Sequence, residues 1–151
     1  MKYKIYTDGS SKQNGKVNNV GGWAYIILDE EDKIIFKNCA SENNTTNQRM
    51  ELIAALQALL QIQSQLAPFD EVNIYSDSAY LINCVNQKWY NGWLMNNWVN
   101  SKKEPVANKD LWLDLIPFFG DIRIHWNKVK GHSTNYYNNI VDDMAQSIAK
   151  K

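Results

Sequence analysis

Apolar residues change their spacing several times along this chain, and each change marks an element. Residues 2–8 alternate, with Tyr3 and Ile5 on one face and Lys4 and Tyr6 on the other, which is the period of a strand. The stretch 10–22 is polar and glycine-bearing and predicts a loop. Residues 23–40, "WAYIILDEEDKIIFKNCA", set two apolar runs about an acidic turn and predict an antiparallel hairpin. From 43 to 48 the chain reads "NNTTNQ", where Thr46 or Asn47 can accept from the free N–H groups of a following helix. That helix, 49–67, is rich in strong helix formers and lacks glycine and proline until Pro68 closes it. Glu51, Ala55, Ala58 and Ile62 share one of its faces, mostly small and suited to lying close on a sheet, with a carboxylate at its head.

Strand pattern returns at 71–77, and 78–87 reads as a short helix. The stretch 88–112 holds neither period and predicts a protruding helix and loop, with a further helical piece at 111–119. Ile122, Ile124 and Trp126 share one face of a strand over 121–129; 130–139 is a polar loop, and the chain ends in a helix. The order βββαβα…βα predicts one α/β domain over residues 1–151, a mixed five-stranded sheet with helices on both faces. Three sequential strands without a helix form its antiparallel half. Strand, helix, strand then implies a right-handed crossover and a parallel pair.

Composition narrows the function. Sixteen basic and sixteen acidic residues cancel, so a polyanion partner requires charge sorted locally. Cys39 and Cys84 are the only cysteines and no metal-ligating Cys/His spacing exists, which argues against zinc and for a reducing compartment. The first residues open directly on strand pattern and no apolar stretch is long enough for a bilayer, so the expectation is a cytoplasmic protein with no membrane association.

Two acids stand out. "YKIYTDGS" and "IYSDSAY" each end a predicted strand on an aspartate, Asp8 and Asp77. In α/β sheets the C-terminal strand edge is where sites assemble. If the two strands are neighbours, the two acids stand together. Glu51 opens the helix that feeds the second strand, and Asp142 or Asp143 opens the last helix. Any one of these alone reads as a turn or cap residue. Jointly they place up to four carboxylates on one edge, where they repel unless a hard divalent cation neutralises them. All-oxygen ligation selects Mg²⁺ or Mn²⁺, and two such ions can activate a water and stabilise the leaving oxygen of a phosphodiester.

With that arrangement the chain resembles a type 1 ribonuclease H over essentially its whole length. Four blocks carry the resemblance in order: "YTDGS", "TTNQRMEL", "IYSDSAY" and "VKGH…VDDMA". It implies the ribonuclease H-like fold and endonucleolytic hydrolysis of the RNA strand of an RNA–DNA hybrid, leaving 5′-phosphate and 3′-hydroxyl ends. Asp8, Glu51, Asp77 and Asp142 would hold two Mg²⁺ ions, with Mn²⁺ able to substitute. Asp142 rather than Asp143 matches the family's final acid. His132 matches a loop histidine that assists proton movement or product departure, while His125 has no assigned role.

For the substrate, Asn14, Asn47 and Gln48 match minor-groove contacts, where amides can donate to and accept from the 2′-hydroxyl. Tyr80, Trp89, Trp93 and Ser101 match a channel for the DNA strand. Thr46 and Asn108, with Ser11, match a pocket for a DNA phosphate. The expected partner is the hybrid alone, bound by a monomer with no obligatory protein partner. Two departures stand against the family pattern. "GWLMNNW" replaces a basic protrusion, which implies weaker binding and a shallow salt dependence. Asn138 and Asn139 occupy a run that carries an acid in many relatives. An integrase- or exonuclease-type nuclease on the same sheet and a catalytically weak hybrid-binding module remain the alternatives.

Overall fold

The computed structural model describes residues 1–12, 19–130 and 135–149. Its strands are β1 (Lys2–Lys12), β2 (Val20–Leu28), β3 (Ile34–Asn43), β4 (Glu71–Ser76) and β5 (Ile124–Lys128). They form one five-stranded sheet in the order β3-β2-β1-β4-β5. The pairs β1–β2 and β2–β3 are antiparallel, while β1–β4 and β4–β5 are parallel. The expected mixed sheet is therefore present, and β1 and β4 are the neighbours that bring Asp8 and Asp77 to one edge.

Strand β2 shows why the sheet needs helices on both sides. Trp23, Tyr25 and Ile27 join the core on one face, and Ala24, Ile26 and Leu28 join the core on the other. Its near-continuous apolar run is the composition of a strand buried twice. The first face is covered by α1 (Asn47–Gln63), α2 (Ala79–Gln87) and α4 (Lys109–Phe119), with the fully buried Trp112 at its centre. The second is covered by α5 (Tyr136–Ala149) through Val141 and Ala145. Strand β3 is an edge, half-exposed and carrying Lys37 and Glu42, charges that discourage pairing with another chain.

Several boundaries differ from the sequence reading, among them the stretch 10–22, expected as a loop, whose ends belong to β1 and β2. Strand β1 runs on through Lys12 rather than stopping at Asp8, because β2 continues to pair with it up to Lys12↔Val20. Its partner β4 leaves off earlier, at Tyr6↔Tyr75, so Asp8 lies just beyond the parallel ladder while still inside a strand. Helix α1 ends at Gln63, not Ala67. Pro68 disfavours helical backbone in the residue before it, and Ala67 N–H donates to Asp70 Oδ2 in a turn at 2.8 Å.

Ile122 is not on a strand face: it is 91% exposed in a turn where Asp121 accepts from the N–H groups of Arg123 and, through its carbonyl, Ile124. Helix α5 begins at Tyr136, so neither Asp142 nor Asp143 opens it; both sit in its second turn. The region expected to protrude holds α3 (Trp89–Met95), a seven-residue helix with no buried residue.

Two glycines set how closely helices approach the sheet. A Cβ at Gly9 would overlap the backbone of Met50 and Glu51 in α1. One at Gly22 would overlap the backbone of Ala145 in α5. Side-chain-free backbone at these points lets each helix rest directly on its strand. Gly9→Ala is expected to lower stability by about 3 kcal/mol in urea unfolding, because backbone rather than a flexible side chain must move. Gly120→Ala, where a Cβ meets nothing within 4 Å, serves as the control and should change it by less than about 0.5 kcal/mol.

Candidate active site

The close approach at Gly9 puts Glu51 of α1 against Asp8 of β1. One carboxylate oxygen from each of Asp8, Glu51 and Asp77 lies within 4.8 Å of the other two. Asp8 is 4% exposed and Glu51 8%, so both are withdrawn from water. Asp142 joins them from α5, lining the same open cavity of about 270 Å³ with Gly9, Ser10, Asn47 and Gln146. Asp143 points elsewhere, into a separate groove with Cys39 and Met144.

The serines flanking Asp77 serve its turn. Ser78 caps α2 by accepting from Leu81 N–H at 3.1 Å, and Ser76 Oγ accepts from Ser78 N–H at 3.1 Å. Asp8 Oδ1 accepts from Gly9 N–H at 2.9 Å, and Gln146 donates to Asp142 Oδ1 at 3.0 Å across one helical turn. These bonds satisfy part of the cluster. Glu51 Oε2 is buried with no hydrogen-bond partner.

Electrostatics follow from burial and crowding. Desolvation pushes the Asp8 carboxyl up to about 8, with the Asp77 and Asp142 charges adding to the effect. Burial likewise holds Glu51 well above the usual carboxylate range, reinforced by Asp8 and Asp77. An all-oxygen cluster of this kind, one of whose acids keeps a buried oxygen without a partner, fits a hard divalent cation.

The other expected residues fall in three places. Thr46, half-buried, caps α1 by accepting from Arg49 N–H at 3.1 Å, which decides between Thr46 and Asn47 as the cap. Asn47 and Gln48 are exposed on the first turn of α1, and Asn47 Oδ1 accepts from Ser11 N–H at 2.6 Å. Trp89, Trp93 and Ser101 converge on one groove of about 390 Å³. Tyr80 is not part of that groove's lining; its hydroxyl accepts from Trp112 Nε1 at 3.2 Å and from Asn108 Nδ2 at 3.4 Å. Trp93 doubles as packing, with its ring 5.4 Å from Trp112 and 5.8 Å from Trp98. Asn14 and His132 lie outside the described residues.

Sequence reasoning missed three contributors. Gly9 was marked by a glycine inside a strand-like motif, a signal of close backbone approach. Gln146 stands four residues after Asp142, the spacing at which helix side chains meet. Asn19 is 3% exposed and ties Ser11 Oγ, Thr45 N–H and Thr45 C=O together at 2.7–2.8 Å. Only the fold brings those partners together, so no local pattern announced it.

Charges of both signs stand at each edge of the sheet. Lys12, Lys128 and Lys130 stand at the edge bearing the acid cluster, and Lys109 is at the head of α4. Asp29, Glu30, Asp32, Asp70 and Glu71 gather at the opposite edge, where Glu30 and Asp70 meet the N-terminal amine and Asp32 meets Lys4. Among the described residues no helix is long and apolar enough to cross a membrane.

Comparison with known proteins agrees with this architecture. The LC9-RNase H1 crystal structure, a type 1 RNase H with the type 2 active-site motif, has 22% identity and a TM-score of 0.79, covering 99% of this chain and 72% of that one. LC11-RNase H1 in complex with an RNA/DNA hybrid has 21% identity and a TM-score of 0.71, covering 98% and 96%. At the sequence level, Ribonuclease H of Caldanaerobacter subterraneus subsp. tengcongensis is 44% identical over 98% of this chain and 91% of its own length. That of Acetivibrio thermocellus is 42% identical over 99% and 96%. The RNase H family model matches residues 1–150, and on that span and these identities the chain belongs to the ribonuclease H family.

Proposed function

We propose that this ribonuclease H cuts the RNA strand of RNA–DNA hybrids endonucleolytically at the edge formed by Asp8, Glu51, Asp77 and Asp142, leaving 5′-phosphate and 3′-hydroxyl ends. The observation that carries this reading is the convergence of these carboxylates on one cavity, with Glu51 Oε2 buried and unsatisfied. Asp8, Glu51, Asp77 and Asp142 would hold two Mg²⁺ ions, and Mn²⁺ could take their place. Bound there, divalent ions would supply an acidified water for attack and charge neutralisation at the phosphate.

The chain's own groups orient the substrate. Asn47 and Gln48, exposed beside the cavity, suit the 2′-hydroxyl-bearing minor groove of the RNA strand. Asn14, from outside the described residues, is assigned the same role by its motif, and His132 that of a proton carrier or aid to product departure. Thr46, Ser11 and Asn108 suit a phosphate of the DNA strand. The groove of Trp89, Trp93 and Ser101 would take the DNA backbone beyond it, and Tyr80 is assigned to the same channel by its motif. The hybrid is the only partner required, the chain acts as a monomer over its single domain, and the cytoplasm is its place of work.

The apolar tip of α3 gives the groove a weakly charged rim: Leu94 is 50% exposed and Met95 83%. Titration of hybrid binding against salt should therefore give a slope corresponding to roughly three or four phosphate contacts, about −3 on a double-logarithmic plot. A slope near −8 would show that the protrusion is not the weak contact described.

Stability and chemistry are linked by the raised carboxyls. Folded Asp8 and Glu51 hold protons that the unfolded chain releases near pH 4, so metal-free stability is full below that pH. It falls as pH rises toward about 8, the folded value of Asp8. Thermal unfolding in a chelator should follow that decline, and millimolar Mg²⁺ should reverse it at pH 8. Asp8→Asn should raise metal-free stability at pH 8 by on the order of 2–3 kcal/mol and remove most of the Mg²⁺ increment.

Catalysis is tested on hybrid, RNA duplex and DNA duplex, each with and without Mg²⁺. Cleavage confined to the RNA of the hybrid and dependent on the metal is expected. Asp77→Asn should lower the rate ~10³-fold while hybrid binding persists. Binding without cleavage by the unmodified protein, under Mg²⁺ and Mn²⁺ alike, would make it a binding module instead.

A further inference from the structure

Arg49 was assigned no role by its motif, yet it sits where two helix N-termini meet. It lies in the first turn of α1, and its guanidinium reaches the head of α4. There Nη1 is 3.0 Å and Nη2 2.6 Å from the two oxygens of Asp110, and Nη1 is 3.3 Å from Asn108 Oδ1. Asn108 is the residue before α4, at φ 62°, and its side chain makes no cap bond. Its amide turns instead to Arg49 and to the Tyr80 hydroxyl.

This corner has the makings of an anion site. The N-terminal ends of α1 and α4 both present partial positive charge, and Arg49 adds a full one. A forked guanidinium recognises carboxylate and phosphate oxygens alike. Asp110 already occupies the fork in the two-pronged way a phosphate would. Its side chain is 62% exposed and that of Arg49 34%, so the pair lies open to an incoming ligand. Thr46 and Asn108, proposed above for a DNA phosphate, flank it.

We propose that Arg49 is a phosphate-binding residue held in check by Asp110. In the free protein the carboxylate satisfies the guanidinium. When hybrid binds, a phosphate of the DNA strand at Thr46 and Asn108 competes for the same fork. Asp110 thereby tunes affinity downward, in keeping with the chain's neutral balance and apolar protrusion. This inference rests on the reading of Thr46 and Asn108 as a phosphate site.

The test is steady-state cleavage of one defined RNA–DNA hybrid from 50 to 200 mM salt with the whole protein, comparing Asp110→Asn, Arg49→Gln, the double variant and Asn108→Ala. Asp110→Asn should lower KM several-fold at low salt and steepen its salt dependence by about one contact. Arg49→Gln should raise KM more than it changes kcat and should cancel the gain in the double variant. Thermal unfolding of each variant reports whether the fold holds, and Arg49→Lys, which keeps the charge, should recover part of the KM lost in Arg49→Gln. If Asp110→Asn leaves KM and its salt dependence unchanged or raises KM, the pair is only a structural tie and the proposal is overturned. Asn108→Ala separates the two levels. A raised KM there with no response in Asp110→Asn removes the check alone, whereas no response in either removes the phosphate site beneath it.

Discussion

Three carboxylates held in one half-dry corner repel one another, and the rest of the fold is arranged so that they cannot move apart. The decisive contact is at Gly9, where β1 meets the backbone of Met50 and Glu51 with no side chain between them. A strand and a helix resting on each other this closely fix Asp8 and Glu51 together. The parallel pairing of β1 with β4 then sets Asp77 alongside. Packing of apolar faces, Ile5, Ile74, Leu52 and Ala55 among them, stabilises an arrangement that electrostatics alone opposes.

The same logic explains why polar groups near the edge are so fully committed. Asn19 spends its amide on Ser11 and Thr45, Ser78 caps α2, and Thr46 caps α1. Each bond fixes an end of an element that carries an acid or flanks one. Glu51 Oε2 is a buried oxygen without a partner within the acid cluster itself, while Thr45 Oγ1 is left unpaired in the scaffold beside it. A buried carboxylate oxygen without a partner, set among other acids, is an acceptor that a cation can satisfy.

The neutral composition is reflected in charges of both signs at each edge of the sheet. Acids of the β2–β3 turn and of the approach to β4 sit at one end of the strands, and lysines ending β1 and β5 sit at the other. The chain has no net charge, and its lysines at the ends of β1 and β5 share their edge with the acid cluster. Arg49 fits this economy: its cation stands at the acid-bearing edge, with a carboxylate already on it.

Much of this was legible in the chain itself. Alternation in β1 and β2, the cap before α1 and the acids closing two strand patterns follow from local periodicity, because each depends on neighbours in sequence. Glu51 was visible as a polar interruption of a sheet-facing helix surface. Periodicity left Asp142 and Asp143 open, since both lie in one turn of α5, and the resemblance of the motif chose Asp142. Ile122 was misread because a single apolar residue beside Ile124 mimics strand alternation, while Asp121 captures the backbone for a turn. The sequence by itself determined which residues could face a core and which carboxylates end strands. Only the tertiary structure decided that Gly9 sets the spacing and that Arg49 meets Asp110, and it placed Asp142, the acid the motif register favours, on the cavity. Those outcomes depend on how closely distant backbones approach, a quantity set by packing between elements and not by any one of them.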